Sequence, residues 1–278
     1  MTESRQVLDR GWGRRRVRVL AIGVLAFVSG CAPMRESVRE TVRGVSPGPP
    51  PAPAPPGSPL EARPGPEGDS VAWERALAAE GERIVVSREA RWLWLMRGDS
   101  AVFAAPVAVG RDTIFSYDGK DYDFSTPSGR MVVQGKETSP EWVPPNWHYY
   151  EKAVERDLEP VHLEPHDRVV LSDSTVIEVR GTEVGRINRF GYWRAFNPGT
   201  EIIFDDRIFI PPFGSPQRRI PEVLGTHRLI LGDGYLIHGT PETDSIGEYA
   251  SHGCVRMFNH DVEQLYGMVE SGVPVYIY

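Results

Sequence analysis

The chain has 278 residues, 40% of them hydrophobic, and a formal charge of −7. That is enough for one substantial domain with a real core, plus flanking segments. No basic run occurs beyond the extreme N-terminus, which argues against nucleic acid as a partner, and the only cysteines are Cys31 and Cys254.

The N-terminus reads "WGRRRVRVLAIGVLAFVSGC". Arg14, Arg15, Arg16 and Arg18 form a basic head, and Val17 to Val28 a short apolar stretch. A comfortable membrane span needs about 20 apolar residues, more than this stretch supplies. With small Ser29 and Gly30 ahead of Cys31, the segment resembles a bacterial lipoprotein signal, cleaved before the cysteine that then receives lipid. An ordinary signal peptide or a single N-terminal anchor is the alternative. Residues 1–30 are therefore expected to be a signal segment, and residues 31–82 a lipid-anchor cysteine with a proline-rich linker. "SPGPPPAPAPPGSPLEARPGPEG" cannot pack a core and reads as a semi-rigid spacer.

A short helix is expected over 71–81, and the folded domain is expected to span residues 83–278. "RIVVS" and "RWLWLM" are strand candidates, joined to "AVFAAPVAVG" by a turn at "RGDS". "TPSGR", 126–130, is a turn leading into "MVVQG". "WVPPNWHYY", 142–150, reads as a long loop or flap because of its prolines. Its Trp142, Trp147 and Tyr149 either line a substrate groove or are pinned on the core. "RVVLS", "TVIEVR" and "EIIFDDRIFI" are further strands, and "RLIL", "GDG" and "YLIHG" give a strong hairpin signal. Val262, Leu265, Tyr266 and Val269 make a helical stripe, with Asn259 or Asp261 as its start and Gly272 as its end. "VPVYIY" is a terminal strand. The whole reads as mainly β.

Cys254 follows His238 by 16 residues and His252 by two. A thiol of reference pKa about 8.5 becomes a strong nucleophile when an imidazole takes its proton. The residues alone leave three readings open: inert thiol, metal ligand with His238, His252 and His260, or nucleophile. The spacing follows no common zinc pattern. Backbone N–H groups near Gly253 and Cys254 are candidates for an oxyanion hole. Arg256 either holds a substrate carboxylate or bridges to Glu242, Asp244 or Glu248. His148 is a weaker candidate for substrate contact.

"IHGT…SIG…SHGCVRM…D…L", together with "LGTHRLIL" and "TPSG", resembles the L,D-transpeptidase catalytic domain family of the YkuD type over roughly residues 83–278. The resemblance implies a β-sandwich-like fold with a short helix after the catalytic cysteine. It implies Cys254 as nucleophile and His238 as base, oriented by the Gly239 backbone carbonyl. His252, Ser251, Gly253 and Arg256 then shape the site and its oxyanion region. The implied donor is a peptidoglycan tetrapeptide stem, cleaved to release terminal D-alanine through a Cys254 thioester. The implied acceptor is an amine, from another stem or from an envelope protein, and water would make the enzyme an L,D-carboxypeptidase. No metal and no cofactor are implied. A non-catalytic peptidoglycan-binding lipoprotein and a zinc hydrolase are the other classes considered. The expected location is the bacterial cell envelope, outside the cytoplasmic membrane and lipid-anchored to it.

Overall fold

The computed structural model describes residues 57–65 and 68–278. The signal segment, Cys31 and the spacer up to residue 56 lie outside the described residues.

"RIVVS" and "RWLWLM" become the antiparallel strands Glu82–Ser87 and Trp92–Arg97. Their central stretches, residues 84–86 and 92–96, are unbroken apolar runs because their sheet is covered on both faces. Ile84, Val86, Leu93 and Leu95 enter the main core. Val85, Trp92, Trp94 and Met96 enter a second cluster, covered by helix Ser70–Ala78 through Ala72 and Ala76. Ser100–Pro106 lies on one side of this pair. On the other side lie the C-terminal strand Pro274–Ile277, parallel to Glu82–Ser87, and then Gly129–Val132.

The packed domain starts upstream of the expected boundary at residue 83. Asp69 Oδ1 caps the helix by accepting from Ala72 N–H at 2.8 Å. Trp73 Nε1 donates to the Pro59 carbonyl at 3.0 Å, and Ala62 joins the second cluster. The reason is the outer face of the sheet: its tryptophans and Met96 need an apolar cover, and this segment supplies it.

A second sheet runs in the order Val255–Met257, Tyr235–Gly239, His227–Gly232, Gly135–Thr138. Leu229, Leu231, Ile237, Val255 and Met257 pack from it into the main core. Helix Asn259–Met268 adds Val262 and Leu265, with Val269 just beyond its end, as the stripe predicts. The architecture is mainly β: two sheets around one core, with few helices. The hairpin turn is Asp233-Gly234, both at positive φ (51° and 84°), the pattern of a two-residue turn that matches strand twist. The helix caps differ from expectation. Phe258 takes the N-cap position without a side-chain bond, while Asn259 Oδ1 accepts from Thr226 N–H at 3.2 Å. The helix closes at Val269, before Gly272.

Residues 142–220 form a lobe of their own. Trp142 and Ile220 exchange backbone hydrogen bonds of 2.9 and 2.8 Å, so the two ends of the insert are tied together. Within it, Arg168–Val170, Val176–Arg180, Glu183–Ile187 and Trp193–Ala195 make an antiparallel sheet. A three-stranded sheet of Ile202–Phe204, Arg207–Ile210 and Glu159–His162 lies alongside. Leu163, Ile177, Val179, Val184, Ile202 and Phe209 form a core shared by both.

Two readings of this region change. "EIIFDDRIFI" is a hairpin rather than one strand, because Asp205 and Asp206 both take positive φ (53° and 57°). "WVPPNWHYY" is loop only to Pro145; from there helix Asn146–Glu155 begins. Pro145 sits at the N-cap, where a missing N–H costs the helix nothing.

Arg218, only 2% exposed, fastens the base of the insert. It donates to the carbonyls of Pro144 (2.9 Å) and Pro211 (2.8 Å) and to Asn146 Oδ1 (2.5 Å). Replacing it strands two buried carbonyls and the half-buried Asn146 amide oxygen. Arg218→Met is expected to destabilise the protein by about 3 kcal/mol in urea titration, or to give an early separate transition of the insert. An unchanged transition would remove Arg218 from this role.

Candidate active site

Strands Tyr235–Gly239 and Val255–Met257 run parallel, with His238 opposite Arg256. Cys254 precedes the second strand by one residue. The same two guanidiniums, of Arg256 and Arg228, bear on both His238 and Cys254. The structure thus brings the expected histidine and cysteine to neighbouring positions on one sheet.

His238 is buried, 4% exposed. Burial pushes its pKa down to about 4, against the Gly239 carbonyl, which favours the charged form. The imidazole is therefore neutral near pH 7. Its Nδ1 lies 2.6 Å from the Gly239 carbonyl oxygen. A carbonyl only accepts, so Nδ1 carries the proton and Nε2 keeps its lone pair, while the Leu224 backbone also bears on the ring. Gly239 has no room for a side chain: a Cβ there would stand 2.2 Å from Asn259 Oδ1.

Burial also pushes the Cys254 thiol up to about 11, although Leu236 backbone and the two arginines pull the other way. The resting pair is thiol and neutral imidazole. Cys254 Sγ is 3.8 Å from the Gly234 carbonyl oxygen. Arg256 donates to Glu242 Oε2 at 2.7 Å, one of the bridges the sequence suggests, and its charge helps a thiolate form beside it.

The turn before the cysteine is held from within and from outside. Ser251 Oγ accepts from Gly253 N–H at 3.1 Å and donates to the Cys254 carbonyl at 2.5 Å. The expected oxyanion donor at Gly253 is thus already engaged. Gly253 stands at φ 115°, and a Cβ there would meet the Tyr235 ring at 3.0 Å and Ser125 O at 3.1 Å, so only glycine fits. Thr126, buried at 1% exposure, donates through Oγ1 to the Gly253 carbonyl at 3.0 Å and accepts there from Gly110 N–H at 2.7 Å. Sequence reasoning took 126–129 as a turn; its threonine is also a strut of the cysteine loop.

His252 is gripped by the insert. Its Nε2 lies 2.9 Å from Glu151 Oε2, and Trp147, one helical turn before Glu151, stacks on its ring at 4.5 Å. Phe124 meets the same ring edge-on at 4.7 Å. Glu151 is bound on its other oxygen by Arg111. Burial alone would raise the Glu151 pKa, but hydrogen bonds from Arg111 and His252 outweigh it and hold the carboxylate low. For His252, burial lowers the pKa and Glu151 opposes it. Neither Glu151 nor Arg111 was a sequence candidate. Glu151 has no local signal, being one acid on an amphipathic helix.

Of the three expected groove residues, Trp147 reaches the site. Trp142 touches Trp147 and His148 but serves the base of the insert. Tyr149 is a correction: at 6% exposure it packs with Ala153, Ile208 and Ile210, because its helix face turns inward. His148 is also mostly enclosed, and burial lowers it to about 4. His260 stands apart from the other histidines, exposed and 3.2 Å from Asp261. Among the described residues, no group of three or more His, Cys, Asp or Glu side chains is placed to hold a metal ion.

A half-buried thiol and a buried neutral imidazole thus stand on neighbouring strands of one sheet in a mainly β fold. Residues 81–277 match the family model of the YkuD L,D-transpeptidase catalytic domain, and the chain belongs to that family. It is 42% identical over 52 residues to the probable L,D-transpeptidase YbiS of Escherichia coli K12, covering 19% of this chain and 17% of that one. The chain thus spans less than a fifth of that relative's length. Among solved structures it is similar to the catalytic domain of an Enterococcus faecium L,D-transpeptidase. There the identity is 15%, the coverage 72% of this chain and 99% of that one, and the TM-score 0.37. An L,D-transpeptidase from Xylanimonas cellulosilytica gives 14% identity, 72% and 62% coverage and a TM-score of 0.38.

Two measurements check this electrostatic picture. Iodoacetamide labelling of Cys254, with Cys31→Ser to leave one thiol, is expected to stay slow at pH 7 and to rise toward pH 11. Half-maximal labelling near the free-thiol value of about 8.5 would show an unburied sulfur. Glu151→Gln removes a charge that favours the His252 imidazolium, so the His252 pKa, followed by NMR, is expected to fall further below 6.5. No movement would mean that the carboxylate does not act on this ring.

Proposed function

We propose that this chain is a cysteine-dependent L,D-transpeptidase of the bacterial cell envelope, acting on peptidoglycan tetrapeptide stems. The observation that carries the reading is the buried, neutral His238 with Nδ1 committed to Gly239, which leaves Nε2 as a base beside Cys254. Nε2 takes the Sγ proton as the sulfur attacks the carbonyl of the third stem residue. The tetrahedral intermediate collapses, the proton passes to the departing nitrogen, and D-alanine leaves. The thioester on Cys254 is then opened by an amine, from the side chain of another stem or from an envelope protein. His238 takes the proton of that amine. The cleaved peptide bond supplies the acyl group, so neither step consumes a nucleotide or other cofactor. Water as acceptor gives an L,D-carboxypeptidase instead.

Arg256 favours the thiolate, Ser251 and Thr126 hold the loop that presents it, and His252 with Trp147 forms one wall of the site. Lipid on Cys31 and the proline-rich spacer would hold this domain at the outer side of the membrane, within reach of the wall.

The test is intact mass spectrometry of the protein with a disaccharide-tetrapeptide and an amine acceptor, wild type beside Cys254→Ala. A transient acyl adduct on Cys254 with a dimeric product is the expected result, lost entirely in the variant. Tripeptide and free D-alanine without dimer would make the enzyme a carboxypeptidase. A folded, reduced protein that forms no adduct would refute the acyl-enzyme. Because His238 is neutral down to about pH 4, the acid limb of kcat/KM is expected well below 6.5. A limb at 6.5 or above would mean that His238 is not the base.

A further inference from the structure

The acyl-transfer chemistry leaves one large feature of the insert unused. Beside the edge strand Trp193–Ala195 runs an open groove of about 1080 Å³. The hairpin tip at its rim displays Phe190 and Tyr192, which are 85% and 72% exposed. That tip is pinned. Asn188 Oδ1 accepts from the N–H groups of both Phe190 and Tyr192 at 3.0 Å. Asn188 N–H donates to the Tyr192 carbonyl and Gly191 N–H to the Asn188 carbonyl, each at 2.9 Å. The backbone that carries these two rings is fixed, so little main-chain freedom is lost when they make contact.

The charges around the groove agree. Arg168, Arg180, Arg186 and Arg207 of the same lobe are all paired with carboxylates. Arg189 and Arg194 also line the groove, and neither forms a salt bridge among the described residues, although Asp173, bridged to Arg186, acts on Arg189 at longer range. Three guanidiniums against one carboxylate leave the lining net positive, which favours an anionic ligand in a chain of formal charge −7. Asn197 and Thr200 add neutral hydrogen-bonding groups to the lining.

We propose that this groove binds peptidoglycan strands as a polymer, the rings stacking on sugar faces and the arginines pairing with stem carboxylates. Asn197 and Thr200 then meet sugar hydroxyls. The insert holds the strand while the sandwich lobe works on its stems. The identity of the polymer rests on the function proposed above. A membrane surface is the rival occupant, since the tip presents two exposed rings, but those rings border a concavity lined by Arg189, Arg194, Asn197 and Thr200, which fits a strand laid in a groove better than a flat surface.

The experiment uses the full chain with Cys31→Ser, so that no lipid is attached, and compares it with Phe190→Ala/Tyr192→Ala and Arg189→Ala/Arg194→Ala. Three quantities are read: co-sedimentation with purified insoluble peptidoglycan, co-sedimentation with phosphatidylglycerol vesicles, and D-alanine release from a soluble disaccharide-tetrapeptide. Each double variant is expected to raise the Kd for the insoluble polymer about tenfold or more, with soluble turnover unchanged. Unchanged polymer binding, or no binding by the parent chain, would overturn the proposal. Vesicle binding that the variants abolish would assign the tip to a membrane and overturn it as well. Groove-dependent polymer binding without any soluble turnover would support the groove while rejecting the acyl-transfer reading.

Discussion

The parallel pairing of Tyr235–Gly239 with Val255–Met257 is the constraint on which the site depends. Parallel neighbours cannot be joined by a tight turn; they need a crossover of about a dozen residues or more. Residues 240–254 are that crossover, and Cys254 ends it. The segment swings out, pairs Tyr249–Ser251 with Val109–Gly110, and returns through His252, Gly253 and Cys254. The spacing between His238 and Cys254 is thus a length the topology requires. It spans the path out of one strand and back beside it.

Such a crossover would be loose without struts, and three parts of the chain supply them. Ser251 closes the turn on itself. Thr126 ties it to the strand end at Gly110. Arg256, on the strand that follows, ties down the first half of the crossover through Glu242. Each bond satisfies a polar group that the turn would otherwise leave exposed to competition or buried without a partner. The same burial sets the protonation states. His238 is buried and Cys254 half-buried, and desolvation disfavours both imidazolium and thiolate, so the resting pair is neutral.

The insert adds a fourth strut from a different lobe. Trp147 and Glu151 are one turn apart on a single helix and act on one imidazole, by stacking and by hydrogen bond. Arg111, at the far end of the Val109–Gly110 strand, completes the bridge between lobe and sandwich. The second lobe is therefore coupled to the cysteine loop through His252.

Much of the sandwich was legible in the sequence because its signals are local. Apolar runs bounded by turns mark the strands, "GDG" marks the hairpin, and the stripe from Val262 to Val269 marks the last helix. The "SHGC" run, with its histidine upstream, drew attention to Cys254 and His238 by type and spacing, and the family resemblance implied which is nucleophile and which is base. Tertiary structure alone decided what depends on residues far apart in the chain. Glu151 meets His252 across 101 positions, and Thr126 meets Gly253 across 127. Nothing in either stretch marks such a partner. Tyr149 and Trp147 look alike in sequence, but the helix turns one into the core and the other onto the site. The prolines at 144 and 145 suggested a loop, yet they precede a helix, where a missing N–H is harmless. Sequence specified which groups can react. Packing decided which of them are dry, which are held, and which face each other, because burial and long-range hydrogen bonds exist only once the chain has folded.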